Sequence, residues 1–267
     1  MRNRTLTAVL AIGAFFMVFP FVWTIITSVT SGAGLSTTPS LIPQNPTLDA
    51  YRLLFTSTGF ARSIANSFGL ATAITVAQIV TSSLAAYAFS RFEFRGKRVT
   101  FALYLATMMI PMQVLLVPLF SQMKQLGLVD SYLGVILPSM ASAFGVFLLR
   151  QAMASVPREL DEAATLDGAG HARIFSRVVM PNIRPAIATF AVFAFMSSWN
   201  AFLWPLVILR SDELKTLPLA LASLQGQFTT SWDVMMAGSV LSILPMLAIY
   251  IFAQKYVIQG VAGTGLK

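Results

Sequence analysis

The sequence has no cysteine and a single histidine, His171. The missing cysteine excludes disulfides, thiol catalysis and thiolate metal sites, and one histidine excludes a histidine-rich metal centre. Charge is scarce as well. Asp, Glu, Lys and Arg make up 10% of the 267 residues, against roughly 25% in an ordinary soluble domain. There is no P-loop. That motif needs GxxxxGK followed by Ser or Thr, whereas Gly96-Lys97 is followed by Arg98 and lacks the upstream glycine. Hydrolysis of ATP therefore has no site in this sequence.

Apolar side chains fill the space that charge leaves. The chain is 56% hydrophobic with a mean hydropathy of +0.74. A water-soluble globule of this composition would expose large apolar patches, so lipid is the solvent that fits. The net charge of +8 raises nucleic acid as a partner. The basic residues are thinly spread between apolar runs, however, and membrane topology explains them better. No nucleic-acid partner is expected.

The charges cut the chain into blocks. No charged residue lies between Arg4 and Asp49, Arg62 and Arg91, Arg98 and Lys124, Asp130 and Arg150, Arg184 and Arg210, or Asp233 and Lys255. A helix needs about 20 apolar residues to cross the hydrocarbon core, so each gap houses one span. The expected spans lie near 6–29, 65–88, 99–119, 132–150, 186–209 and 234–254, in a single all-α membrane domain covering 1–267. The stretch from Leu6 to Val29 is longer than a signal-peptide core of roughly 7–15 residues, so it reads as a retained first span. With the N-terminus inside, 13 of the 18 Lys and Arg residues fall in the inner segments 1–5, 89–98, 150–185 and 255–267. The positive-inside rule then puts both termini in the cytoplasm. Pro20, Pro111, Pro118, Pro138, Pro205 and Pro245 fall inside spans and are expected to kink them. Ser82 and Ala86, four apart, permit close helix packing.

Segment 150–185 is the longest inner segment. Ser155 or Val156 suits a helix cap and Pro157 a first helical turn. Glu159, Asp161 and Glu162 sit where the helix dipole favours anions. Leu160, Ala163, Ala164 and Asp167 share one face, and Gly168 suits a left-handed C-terminal position. A second short helix is expected from about Gly170 to Met180, with Arg173 and Arg177 on one side and Pro181 ending it. Five basic and four acidic residues make this a poor lipid-binding helix, which would be richer in Lys and Arg. They suit a docking surface for a cytoplasmic protein.

Glu162-Ala163-Ala164, three residues, Gly168, nine residues, then Val178-Val179-Met180-Pro181 resembles the EAA loop of ABC-importer permease subunits, and Asp167-Gly168-Ala169 also fits it. The family form ends in Ile-x-Leu-Pro, so Val178 and Met180 are mild departures. Asn66-Ser67, Ala85-Ala86-Tyr87-Ala88 with Arg91, Ile110 to Val114, Trp199-Asn200, Thr216 to Leu219 and Gln225 to Phe228 resemble the carbohydrate-importer branch. Gln254 to Val261 is similar to the tail of the smaller, six-span maltose-type subunit, although that tail ends in Val-Lys-Gly and this sequence in Leu266-Lys267.

The resemblance implies two permease subunits, usually a heterodimer, over two ATPase subunits that bind ATP and Mg, with an extracytoplasmic solute-binding protein. The membrane is the inner, cytoplasmic one, and this chain has no cofactor, no metal and no enzymatic role. The coupling residues would be Glu162, Ala163, Ala164, Asp167, Gly168, Ala169 and Pro181. Glu162 would pair with a donor in the ATPase cleft, and Gly168 would make the turn between the coupling helices. Asn200 and Trp204, four apart, are expected on one helical face of the fifth span, where an amide and an aromatic could bind a sugar ring. The plainer alternative makes Trp204 an interfacial belt residue and Asn200 a partner for a neighbouring helix. Met108, Met109 and Met112 could line a flexible pathway, although methionine is more often gap-filling core. The outer segments 30–62 and 210–233 are long enough to touch a binding protein. A secondary transporter or channel without an ATPase is the competing reading. It lacks the midplane ionisable residues that ion coupling uses and leaves the loop unexplained. A membrane enzyme would have few catalytic groups to draw on.

Overall fold

The computed structural model describes residues 2–30, 45–57, 59–227 and 231–262. Most of the extended connection expected around Thr38-Pro39, the side chains of the tail beyond Gln254, and Phe228 of the Gln225 to Phe228 stretch lie outside the described residues. Every regular element among the described residues is helical, with one isolated bridge between Thr30 and Pro46.

The chain clusters into two compact units, residues 1–66 with 215–247, and residues 67–214 with 248–267. The first unit contains α1 (Arg2–Ser28), α2 (Asp49–Ser57) and the opening turns of α3 (Phe60–Arg91). The middle of α1 exposes Phe15, Phe16 and Met17, as a helix facing lipid would. Its end is tied down: Ser28 Oγ and Tyr51 OH are 2.7 Å apart, and Thr47 N donates to Val29 O. α13 (Leu217–Gln227) and the first part of α14 (Trp232–Ala262) complete this unit. A Cβ on Gly238 of α14 would stand 3.0 Å from Leu221 of α13. Asn66 Nδ2 donates to Lys215 O.

The second unit takes the rest of α3, then α4 (Lys97–Ala106), α5 (Met112–Gln125), α6 (Tyr132–Ser139), α7 (Ala143–Ala154) and α8 (Arg158–Leu166). These are followed by α9 (His171–Ile174), a π turn (Phe175–Val179), α10 (Met180–Asn182), α11 (Arg184–Trp199) and α12 (Leu203–Ile208). Leu6–Ser28, Phe60–Arg91 and Trp232–Ile251 are each long and apolar enough to cross a membrane. Three bent pairs qualify only when joined: Lys97–Met109 with Met112–Gln125, Tyr132–Ser139 with Ala143–Ala154, and His171–Asn182 with Arg184–Trp199. The candidate spans therefore number between three and six.

The first bend falls at the kink expected from Pro111, whereas the second lies beyond Pro138. The first pair turns by 99° at Ile110-Pro111, because Pro111 drives the residue before it into extended backbone (φ −83°, ψ 113°). The second turns by 47° over Met140 to Ser142. Carbonyls freed inside a bilayer need donors, and α3 supplies them. Gln78 Nε2 donates to Ser139 O, Thr81 Oγ1 to Met140 O and Ser82 Oγ to Ser142 O. These residues lie three and four apart on one helical face. Beside them Gly145 admits no side chain, since a Cβ would collide with the Phe190 ring and with Ser82 Oγ.

The 186–209 span is also broken. α11 stops at Trp199, and α12 restarts at Leu203. Beyond it the α5–α6 connection is latched to the segment after α12. Asp130, at a left-handed φ of 59°, donates its N–H to Ile208 O. Its carboxylate accepts from Arg210 N, Ser211 N and the Ser211 hydroxyl.

Candidate functional site

The segment after α7 folds as a helix–turn–helix pair. The observed first helix begins at Arg158, with Pro157 as its cap residue, while Ser155 caps α7 instead. Glu159 and Asp161 occupy its first turn, where the dipole is positive. Its far end explains much of the motif. Gly168 adopts φ 79° and donates to Thr165 O, while Ala169 N reaches back to Ala164 O. That bond pair is a Schellman termination, which wants glycine at the left-handed position and an apolar contact across the end. Ala164 and Ala169 make that contact against the apolar cluster around Val179 and Ile174. Asp167 is the cap residue between them.

The second helix departs from expectation at Pro181. Instead of ending there, the helical path continues to Asn182. A proline ring clashes with the carbonyl four residues back in an α-helix, here that of Arg177. The π turn over Phe175–Val179 widens the ladder ahead of it. Asn182 Nδ2 takes up the carbonyl of Val178 at 2.7 Å.

Between α8 and the end of α3 lies a cleft of about 520 Å³, lined by Tyr87, Arg91, Arg158, Asp161, Glu162, Thr165, Leu166, His171 and Ile174. Glu162 and Ala163 are exposed, and Glu162 has no ion-pair partner among the described residues. Leu166 is 90% exposed at the tip of α8. Glu162 and Leu166 together offer a carboxylate and an apolar knob to whatever docks there. Leu166 was not singled out from the sequence, although it is an apolar residue beside the turn glycine. Behind the cleft, Tyr87 packs edge-on against Phe92 and Phe175, and Phe92 against His171. In the turn after α3, Glu93 bonds Lys97 Nζ at 2.9 Å. That hydrogen bond, with the charge behind it, holds the Glu93 carboxyl below its ordinary value.

A helix break separates Asn200 from Trp204, so the two do not share one helical face. Asn200 is exposed and caps its own helix, Nδ2 donating to Met196 O at 2.8 Å. Trp204 is 5% exposed, which also removes the belt reading. Its Nε1 donates to Gly134 O at 3.1 Å, as a buried indole requires. Met108 and Met109 are exposed at the bend after α4, not core.

The model of the binding-protein-dependent transport system inner membrane component family matches residues 78–263. An arabinooligosaccharide transport system permease, AraQ of Halalkalibacterium halodurans, is 37% identical over 98% of this chain and 95% of its own length. A lactose transport system permease, LacG of Rhizobium radiobacter, is 33% identical over 96% of this chain and 94% of its own. Among solved structures, a bacterial ABC transporter that imports the acidic polysaccharide alginate contains a chain that superposes with a TM-score of 0.85. That chain is 27% identical, with 95% of each chain covered. The chain belongs to the family of binding-protein-dependent transport system inner membrane components.

Proposed function

We propose that the chain is one of two permease subunits lining the pathway of an ATP-driven importer for a sugar or sugar-like solute. In this reading the chain crosses the inner membrane six times, with both termini and the α8–α10 segment on the cytoplasmic side, which the distribution of Lys and Arg supports. There the EAA loop docks on an ATPase subunit, which binds ATP and Mg and performs the hydrolysis. A solute-binding protein delivers the solute from the other side, and the second permease is a different chain. The carbohydrate class rests on the arabinooligosaccharide and lactose permeases among the relatives.

The observation that carries the docking assignment is the division of labour inside the motif. Ala164, Gly168 and Ala169 build the helix termination, and they leave Glu162 and Ala163 on the open face beside the cleft. The helix termination makes no use of the Glu162 carboxylate, which is left open to a partner. Glu162 reads as the ligand for a cationic or N–H donor on the ATPase. Glu162→Ala and Gly168→Leu, made separately in the intact complex, test this. Both should lose binding-protein-stimulated ATP hydrolysis, with ATPase co-purification reduced, while the subunit still inserts. Full association and stimulation in both variants would place the coupling site elsewhere.

A further inference from the structure

α8 buries no side chain of its own, and Leu160 and Leu166 point into solvent. What fixes it against α3 is largely polar. Asp161 Oδ2 lies 2.7 Å from Arg91 Nε, and the two side chains keep only 17% and 7% of their surface. Arg91 Nη2 also donates to Val156 O at 3.1 Å. One guanidinium at the last residue of α3 thus grips both a carboxylate inside α8 and the backbone just before it. Arg158, the first residue of α8, closes the joint from the opposite direction, its Nη2 donating to Ser90 O at 3.2 Å, and Arg150 of the neighbouring α7 donates Nε to Phe89 O at 3.2 Å. Those carbonyls belong to the last turn of α3, where helix geometry leaves them without intrahelical partners.

This chemistry suits a rigid link better than an apolar contact would. Methyl groups slide over one another at little cost. The hydrogen bonds from Arg91 Nη2 and Arg158 Nη2 fix direction as well as distance, and separating a buried ion pair leaves both charges uncompensated. Such a pair adds little to net stability but holds its geometry strictly.

We infer that Asp161 and Arg91 are positioning residues that make α8 and the adjoining end of α3 move as one body. A displacement applied to α8 is thereby carried directly into a long span, past the turn glycine. This role rests on the docking reading above, because it needs a partner that pushes on α8. The pair itself touches neither solute nor nucleotide.

A distance measurement in the whole importer tests it. The sequence has no cysteine, so two introduced ones report from this chain without background. Spin labels at Glu159→Cys on α8 and Val80→Cys on α3, both exposed positions, are compared with ATP–Mg, with trapped ADP–vanadate and without nucleotide. The expected distance with the pair intact is single and unshifted by nucleotide. With Asp161→Asn it should broaden and shift when nucleotide is added. The charge-exchanged double variant Arg91→Asp with Asp161→Arg should restore the unshifted distance. A merely structural side chain would give no such rescue. An Asp161→Asn complex as unshifted as its parent, or a parent that itself shifts with nucleotide, overturns the inference. Should Asp161→Asn fail to assemble, the exchanged pair decides alone: an unshifted distance supports the link, and a nucleotide-dependent one overturns it. The two readings fail separately. Loss of the docking reading shows as ATPase association that survives Glu162→Ala and Gly168→Leu, whereas loss of this one shows only in the α3–α8 distance.

Discussion

Around α8, arginine side chains reach out to backbone carbonyls and to one carboxylate; around α12, a single aspartate reaches out to backbone amides. Both fastenings join segments far apart in the sequence, yet they hold different things. The Asp130 latch closes over packed wall: Trp204, Pro205 and Ile208 of α12 are buried beside it, and Gly134 lets the α5–α6 connection approach so closely that no side chain fits. The arginine joint holds a helix with no fully buried residue. A helix kept in place by packing cannot move without opening cavities. A helix kept in place by a few directional bonds can be moved as a piece. The contrast suggests a fixed end and a working end within residues 67–214.

Substitutions at the two ends should separate stability from coupling, beginning with the largest effect. Gly134→Ala drives a Cβ into the Leu128 carbonyl, which is backbone and cannot rotate aside. We expect a loss of about 1–3 kcal/mol, the usual cost of overpacking. It should appear as a lowered Tm of the purified complex with coupling per folded complex unchanged. A Gly134→Ala complex that melts normally but no longer couples would break the comparison.

Asp130→Asn should give the next largest fall in Tm. It should also change the acid limb of the stability profile. The Ser211 hydroxyl and the Ser211 and Arg210 amides hold the Asp130 carboxyl below its ordinary value of 3.8. A carboxyl lowered by folding adds stability that is fully present above its unfolded value and is lost as pH falls through the lower folded one. The parent should therefore lose more stability than Asp130→Asn when pH is taken below about 4, as read by melting temperature across a pH series. Parallel acid limbs would sink the latch.

Gly168→Ala tests the working end. The site has open space around it but a φ of 79°, so the cost is backbone strain of about 1–2 kcal/mol. It should register more strongly in stimulated ATP hydrolysis than in Tm. Trp204→Phe removes one buried donor and leaves the Gly134 carbonyl unmatched, for about 1 kcal/mol and no change in coupling. The smallest effect should come from Glu93→Gln. That carboxylate is exposed, and its bond to Lys97 bridges the turn between α3 and α4. Melting should not shift measurably, and a clear drop would mean that the turn after α3 carries more of the joint than its exposure suggests.

What could be read in advance follows the same division. The long charge-free gaps mark candidate spans because charge tracks water. The turn at Gly168 was legible because a left-handed cap leaves a composition trace over a few neighbouring residues. The breaks at Met140 to Ser142 and at Asn200 to Phe202 leave no such trace. Their carbonyls are satisfied by Gln78, Thr81 and Ser82 some sixty residues upstream, or by a local cap at Asn200, and nothing in the local sequence announces either. Asp130 read as a mere boundary of an apolar gap because its partners are backbone amides some eighty positions away. The Arg91–Asp161 pair hides for the same reason: Arg91 stands out for its motif and Asp161 for its place near a helix start, and their meeting is a fact of tertiary structure. Trp204 was placed in the interface by its residue type, whereas burial came from the fold of α6 against α12.

The π turn ahead of Pro181 has a consequence for how this segment tolerates a change of length. A π turn holds one residue more than the α-helix it interrupts, so deleting a single residue within 175–179 should be absorbed by reversion to an ordinary α turn. The wide turn carries five residues over about the angle that four cover in an α-helix, roughly 400° at 100° each, so residues before and after the deletion keep nearly their relative orientation about the axis. A shortened chain should thus keep its helix and its spans and go on presenting His171 and Arg173 to the same surroundings. The same deletion in a regular α turn would instead rotate that face by roughly 100°.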